Sequence, residues 1–293
     1  MNYRVIIFGD IHCKSRIIKK AKELLPKYDR AIFLGDYVDD WLASPEASYN
    51  TLKELVDLKL DNPQKVILLL GNHDQSEGWA KDFRCSGFSE QTHSLAKDFY
   101  RIRNETNVPL FQVAYSKGNY LFTHAGVTNQ FWKDTQLLIK NHYPELQELL
   151  NLESELATKI SNILNYALIK GLSNPDDQLF QSLGQAGASR GGWGTPSPLW
   201  ADEIDLEANS IPKLNQIVGH TPVKTITEHI VKNGDKTSHL LYFCDTFSTY
   251  YLPYLGGTCL PIGDSSLLEL TFYSNGRVKP NIIKPKLFEN QDS

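Results

Sequence analysis

At 293 residues the chain is long enough for one large α/β domain or two modest ones, and 41% hydrophobic with 22% charged residues is ordinary for a globular protein. A net charge of −4, a pI near 6.1 and the absence of any dense block of Lys or Arg argue against a long nucleic-acid partner, while a single nucleotide or a phosphorylated protein stays open. No apolar run reaches the ~18 residues of a membrane span, the chain enters a strand pattern with no secretory leader, and Cys13, Cys85, Cys244 and Cys259 lack CxxC spacing. The expectation is a cytoplasmic protein with no membrane partner, disulfide framework or zinc ribbon.

Arg4 to Phe8 is a β-branched run ending in Gly9-Asp10-Ile11-His12, and a helical pattern follows from Ser15 to about Leu25, closed by Pro26. Ala31 to Leu34 is a second buried strand, ending in Gly35-Asp36-Tyr37-Val38-Asp39-Asp40. Ser44-Pro45-Glu46 then opens a helix with Leu52, Leu55, Val56 and Leu58 on its apolar face. A third apolar run, Val66 to Leu70, breaks at Gly71 into Asn72, His73 and Asp74. Strands alternating with helices predict a βαβ-type sheet with its loops gathered on one edge, where ligands of open α/β sheets sit.

A looser stretch through Gly78, Arg84 and Gly87 precedes a helix predicted over Glu90 to Arg103. Phe111 to Tyr115 and Asn119 to Thr123, separated by Ser116-Lys117-Gly118, read as a hairpin that delivers His124-Ala125-Gly126. From about 128 to 184 the pattern is helical. Pro144 is a good first residue, and Leu146, Leu149, Leu150, Leu156, Ile160, Ile163, Leu164 and Leu168 keep helical spacing until Gly171 is expected to stop the run. Such a helical insertion either packs on the sheet or caps the site.

Gly184 to Pro198 is a glycine-rich loop whose lone cation, Arg190, is either solvated or free to approach an anion with its planar fork. Ile217 and Val218 lead to Gly219-His220-Thr221-Pro222. The remainder is β-rich: Lys224 to Val231, His239 to Phe243 ending at Cys244-Asp245, and Ser266 to Tyr273, with a glycine-rich connection between Tyr254 and Asp264. Asn290 to Ser293 are expected to fray. The absence of repeats, low-complexity tracts and long linkers predicts a single domain over 1–293.

The strand ends collect Asp10, His12, Asp36, Asn72, His73, Asp74, His124 and His220. Any one histidine alone would read as a packing or surface residue. Together they form a mixed O/N donor set suited to divalent Mn, Fe or Zn, with no thiolate in it. His93, His142, His229 and His239 fit no such block and read as surface or packing residues.

The ordered blocks GDIH, GDYVDD, GNHD, THAG and GHTP resemble the calcineurin-like metallophosphoesterase superfamily, from Phe8 to Pro222. GDYVD, the segment SPLWAD (Ser197 to Asp202) and GHTP, where diesterase members often carry GHxH, lean toward its phosphoprotein phosphatase and diadenosine tetraphosphatase branch. The resemblance implies a four-layer αββα sandwich with mixed sheets and the helical region of about 128–184 inserted. It also implies two divalent ions, the first held by Asp10, His12 and Asp36, the second by Asp36, Asn72, His124 and His220. Two ions roughly 3.5–4 Å apart acidify a bridging water that attacks phosphorus in line. His73 is implied as the acid for the leaving oxygen, with Asp74 fixing its tautomer.

The implied activity is hydrolysis of phosphomonoesters, of a phosphoprotein or a small molecule, or of nucleotide phosphoanhydrides. The rivals are a phosphodiesterase or nuclease of the same superfamily and a regulatory binding module without catalysis. The chain departs from the pattern twice. Cys13 stands where the branch has glycine, as a buried or oxidisable thiol. Asp40 stands where it has a phosphate-clamping arginine, a task left to Arg190 or Arg84.

Overall fold

Apolar residues fill β1 (Tyr3–Phe8), and the pleat sends them to two layers: Ile6 and Phe8 pack against helices, Val5 and Ile7 against a second sheet. The computed structural model describes residues 2–151, 153–233 and 237–284. Asn290 to Ser293, expected to fray, lie outside the described residues. After β1 come α1 (Ser15–Leu24), β2 (Arg30–Phe33), α2 (Pro45–Asp61), β3 (Val66–Leu69), α3 (Asn72–Trp79), α4 (Glu90–Ala96) and β4 (Phe111–Gln112). The chain then forms β5 (Ala114–Lys117), β6 (Tyr120–Thr123), α5 (Asn129–His142), α6 (Gln147–Asn151), α7 (Leu156–Ser173), α8 (Gln178–Ser182) and α9 (Glu203–Asn209). It closes with β7 (Asn215–Pro222), β8 (Thr227–Asn233), β9 (Thr237–Asp245), β10 (Thr249–Leu252), β11 (Thr258–Pro261), β12 (Leu267–Phe272) and β13 (Val278–Ile283).

The first sheet runs β13-β12-β1-β2-β3-β4, parallel from β1 to β4 and antiparallel beyond. The second runs β5-β6-β7-β9-β8, with β6, β7 and β9 parallel and an antiparallel strand at each edge. The same alternation as in β1 recurs in β2 and β3: Ala31, Phe33, Val66 and Leu68 meet the helix layer, while Ile32, Ile67 and Leu69 meet Phe122, Ile217 and Tyr242 of the second sheet. On the second sheet's other face, Leu206 of α9 packs on Val218, Leu241 and Phe243. The layers are therefore helix, sheet, sheet, helix, as the resemblance implied, with mixed sheets. Among the described residues no helix is long and apolar enough to cross a membrane.

Several local expectations are corrected. The arm expected over Phe111 to Tyr115 is split: Phe111 and Gln112 pair with β3, and from Ala114 the chain pairs with β6, so it changes sheets at Val113. The helix expected over Glu90 to Arg103 ends at Ala96 and is followed by a 3-10 turn, Phe99–Arg101. Gly171 does not stop α7, which runs on to Ser173. A Cβ at Gly171 would lie 2.2 Å from the Phe180 ring, so this glycine makes room for α8. The glycine-rich stretch after Tyr254 contains β11, which pairs with β10 as a two-stranded hairpin.

Phe33 is fully buried and stacks on Phe8, ring centroids 4.7 Å apart. Phe33→Ala would leave a cavity between sheet and helices, and urea unfolding should show a loss of about 3–5 kcal/mol; a loss below about 1 kcal/mol would contradict this packing.

Candidate metal centre

Six strands point their carboxyl ends at one crevice: β1 leads to Asp10, β2 to Asp36, β3 to Asn72, β6 to His124, β7 carries His220 and β9 ends in Asp245. All six of these residues are buried. Backbone strain concentrates there. Of the ten non-glycine residues at positive φ among the described residues, five are His12, Cys13, Asp36, Asp39 and His220. Such conformations persist only where the surroundings hold them, and they cluster at functional sites. Close approach is equally specific: a Cβ on Gly71 would lie 2.1 Å from Asp36 Oδ1, and one on Gly219 would lie 2.2 Å from Asp10 Oδ1.

Asp36 lies between two donor groups. Its Oδ2 is 3.4 Å from His124 Nε2 and 3.9 Å from His12 Nε2, and its Oδ1 accepts from the backbone of His73 at 3.0 Å. Asp10, His12 and Asp36 form one cluster of possible metal ligands and Asp36, His124 and His220 a second. Asn72 Oδ1 joins the second at 3.0 Å from His124 Nε2. Contacts to backbone carbonyls behind the rings fix the tautomers. His124 Nδ1 donates to the Leu34 carbonyl at 3.0 Å and His12 Nδ1 to that of Val38 at 2.9 Å, which leaves the lone pair of each ring on Nε2. His124 Nε2 therefore faces Asn72 Oδ1, and it faces His220 Nδ1 at 3.1 Å. With His124 neutral, lone pairs would meet lone pairs there, and the buried Nε2 of His220 has no partner. A proton on His124 or a cation relieves this arrangement, and the O/N donor set fits a divalent cation.

The charges agree. Burial holds the His12 pKa at about 4, and burial with the neighbouring His124 holds His220 well below 6.5, so both are neutral ligands at pH 7. Burial alone would raise Asp36, but His124 and His73 pull it far below the usual carboxylate range. Burial lowers and Asp36 raises His124, which ends at about 9. Asp10 is pushed well up by burial and by Asp245. Without an ion, then, Asp36 and His124 form a proton-bearing pair, and a metal bound there would displace that proton.

His73 follows Asn72 at the start of α3, and its environment corrects one expectation. Asp74 does not touch it. The Asp74 carboxylate turns back to accept from the backbone of Asp36 (2.7 Å), Gly71 (2.9 Å) and Tyr37 (3.1 Å) and from the Tyr100 hydroxyl (2.9 Å). Four donors occupy it because the loops after β2 and β3 would otherwise leave buried N–H groups unpaired. Asp39 takes the place expected of Asp74, its Oδ2 lying 3.0 Å from His73 Nδ1. The sequence carried a signal for this in the acid three residues after Asp36, overlooked because Asp74 is adjacent to His73 in the chain.

Arg190 comes to the same crevice. Its Nε lies 2.8 Å from Asp202 Oδ2, and its terminal nitrogen donates to Thr221 Oγ1 at 3.2 Å. Arg84 does not; it pairs with Glu90 at 2.5 Å and lies over Phe88. Asp40 forms an ion pair with Lys14 at 2.9 Å. Burial raises the Cys13 thiol, away from the reactive thiolate. A cavity of about 520 Å³ joins Asp10, His12, Asp36, Asn72, His73, His220 and Arg190. No described residue between 128 and 184 lines it; α7 packs beside β5, and Trp79 of α3 meets Phe180 of α8. His229 lies elsewhere, paired with Glu203 at 3.4 Å and with Glu207.

A sequence model described as calcineurin-like phosphoesterase matches residues 3–224. No curated protein sequence matches the chain. Among solved structures the chain is similar to a cold-active protein-tyrosine phosphatase of a psychrophilic Shewanella species: 14% identity, 95% of this chain and 80% of that one, TM-score 0.48. It is also similar to a protein serine/threonine phosphatase from Saccharomyces cerevisiae: 14% identity, 99% of this chain and 82% of that one, TM-score 0.49.

Burial lowers the His73 pKa while Asp36 and Asp39 raise it, with a net rise well above 6.5. In metal-free protein its stabilising contribution is thus present below pH 6.5 and lost only as pH rises through that higher value. Proton NMR should show the His73 ring still protonated at neutral pH, and Asp39→Asn should bring its midpoint down; an unchanged midpoint would remove Asp39 as its partner.

Proposed function

The chain belongs to the calcineurin-like phosphoesterase family, and on that premise we propose that it is a dinuclear metal-dependent phosphatase acting on phosphomonoesters or nucleotide phosphoanhydrides. The observation that carries this reading is the convergence of oxygen and nitrogen donors from both sheets around Asp36, with the His73–Asp39 pair on the wall of the same cavity. Asp10, His12 and Asp36 would hold one divalent ion, and Asp36, Asn72, His124 and His220 the other. Bound there, the ions would supply Lewis-acid polarisation of the phosphoryl group and a lowered pKa for an attacking water.

The protein's own groups do the rest. His73 offers Nδ1 to Asp39, so its remaining ring nitrogen is the one that can give a proton to the leaving oxygen, and its raised pKa keeps that proton available at pH 7. Asp74 acts one step removed, holding the backbone that sets Asp36 and His73. Arg190, braced by Asp202 and Thr221, presents a fixed guanidinium to phosphate oxygens. We place the reaction in a single catalytic unit spanning the two sheets, with the helical region of 128–184 supporting it from outside the cavity.

Purified protein should hydrolyse p-nitrophenyl phosphate with Mn²⁺, lose activity to a chelator and regain it on metal return. Asp36→Asn should abolish turnover and lower the metal content measured by elemental analysis, because it alone contacts both clusters. His73→Asn should cost about 10²–10⁴ in kcat with metal content retained. Near-full activity of Asp36→Asn would sink the assignment, and faster cleavage of bis(p-nitrophenyl) phosphate than of the monoester would favour a diesterase.

A further inference from the structure

The cavity's outer wall is aromatic, and Trp41 within it is held in place. Trp41 is 63% exposed and Tyr250 61% exposed, yet both line the cavity that holds the ligand clusters. A single exposed aromatic residue means little. Trp41, however, is fixed from several sides: its backbone N–H donates to Asp40 Oδ1 at 2.9 Å, its indole N–H donates to the Thr249 carbonyl at 3.1 Å, and its ring stacks on Tyr251 at 5.8 Å and 15°. Asp40 is anchored in turn by the nearly buried Lys14 at 2.9 Å and by the Thr249 hydroxyl at 3.2 Å. These contacts tie the loop after β2 to the β10–β11 hairpin and hold an indole face toward the solvent. The rotamer freedom of that ring is given up at folding, so little is left to lose when a ligand covers it.

Two further observations say what would cover it. Arg190 is the only Lys or Arg among the described lining residues, and Lys14, paired with Asp40, does not line the cavity. The wall therefore offers no second cation for an acidic tail. At about 520 Å³ the cavity also has room for more than a phosphoryl group.

We infer that Trp41 and Tyr250 form a subsite for a planar aromatic ring carried by the phosphate substrate, either a nucleobase or an aryl group. This rests on the phosphatase reading above and narrows its substrate class. Ring stacking supplies the selectivity and Arg190 with the metal cluster holds the phosphate.

Binding to the Mn²⁺-loaded protein can be measured calorimetrically with analogues that are not turned over, which separates this inference from catalysis. Phenylphosphonate is compared with methylphosphonate, and α,β-methylene ADP with methylenediphosphonate. The aromatic member of at least one pair should bind about ten-fold tighter, and the pair that shows it distinguishes an aryl from a nucleobase source. Trp41→Ala should remove most of that difference, Trp41→Phe should restore much of it, and Tyr250→Ala should give a smaller loss in the same direction. Equal affinities within both pairs, or a preference that survives in both Trp41→Ala and Tyr250→Ala, would overturn the inference. A preference present in a protein that hydrolyses nothing would keep the subsite and overturn the catalytic reading instead.

Discussion

The Asp74 carboxylate is the contact on which the site depends. It is fully buried and gathers the backbone N–H groups of Gly71, Asp36 and Tyr37 and the Tyr100 hydroxyl. The three N–H groups belong to the loops after β2 and β3, so one side chain fixes the spacing of two neighbouring strand ends. It also stabilises Asp36 at positive φ, a conformation that no ordinary residue adopts without support. Burial, then the nearby Asp36, raises the Asp74 pKa to about 7, so the group on which the geometry hangs is itself close to protonation at neutral pH. Remove it and three buried N–H groups lose their acceptor, each a larger cost than the hydrogen bond gained.

From that anchor the remaining constraints follow. Asp36 can stand between the imidazoles of His12 and His124 only if the chain opposite gives it room, which Gly71 does by lacking a Cβ. Asp10 is placed the same way by Gly219 and by the His220 backbone, which donates to both its oxygens at 3.1 Å. The two sheets contribute different halves of the donor set: β1, β2 and β3 bring Asp10, Asp36 and Asn72, while β6 and β7 bring His124 and His220. The apolar layer between the sheets, from Ile32 and Leu69 to Phe122 and Ile217, is therefore what brings the two halves within bonding distance.

Much of this was legible in the sequence because strand ends announce themselves: an apolar run broken by glycine and then by polar residues is a short-range signal. The order of blocks gave the layers and the donor set, and the helix opening at Pro45 stands where the Ser44 cap and proline chemistry put it. What failed was long-range. Nothing local distinguishes Asp74, next to His73 in the chain, from Asp39, next to it in space, because the difference is made by which backbone N–H groups need an acceptor. The change of sheet at Val113 and the role of Gly171 are likewise decided by partners far along the chain.

Asp40 shows how a single departure from a family pattern is absorbed. A carboxylate beside a site already rich in Asp10, Asp36 and Asp39 would repel a phosphate if left bare. Lys14 compensates it, aided by the Trp41 backbone, and together they hold Asp40 below the usual carboxylate range despite the opposing effect of burial. Neutralised in place, the carboxylate fastens Thr249 and hence the β10–β11 hairpin to the loop after β2. The position where the resemblance implied a phosphate clamp is thus a structural clasp between the loop after β2 and the β10–β11 hairpin, and Arg190 is the cation left lining the cavity.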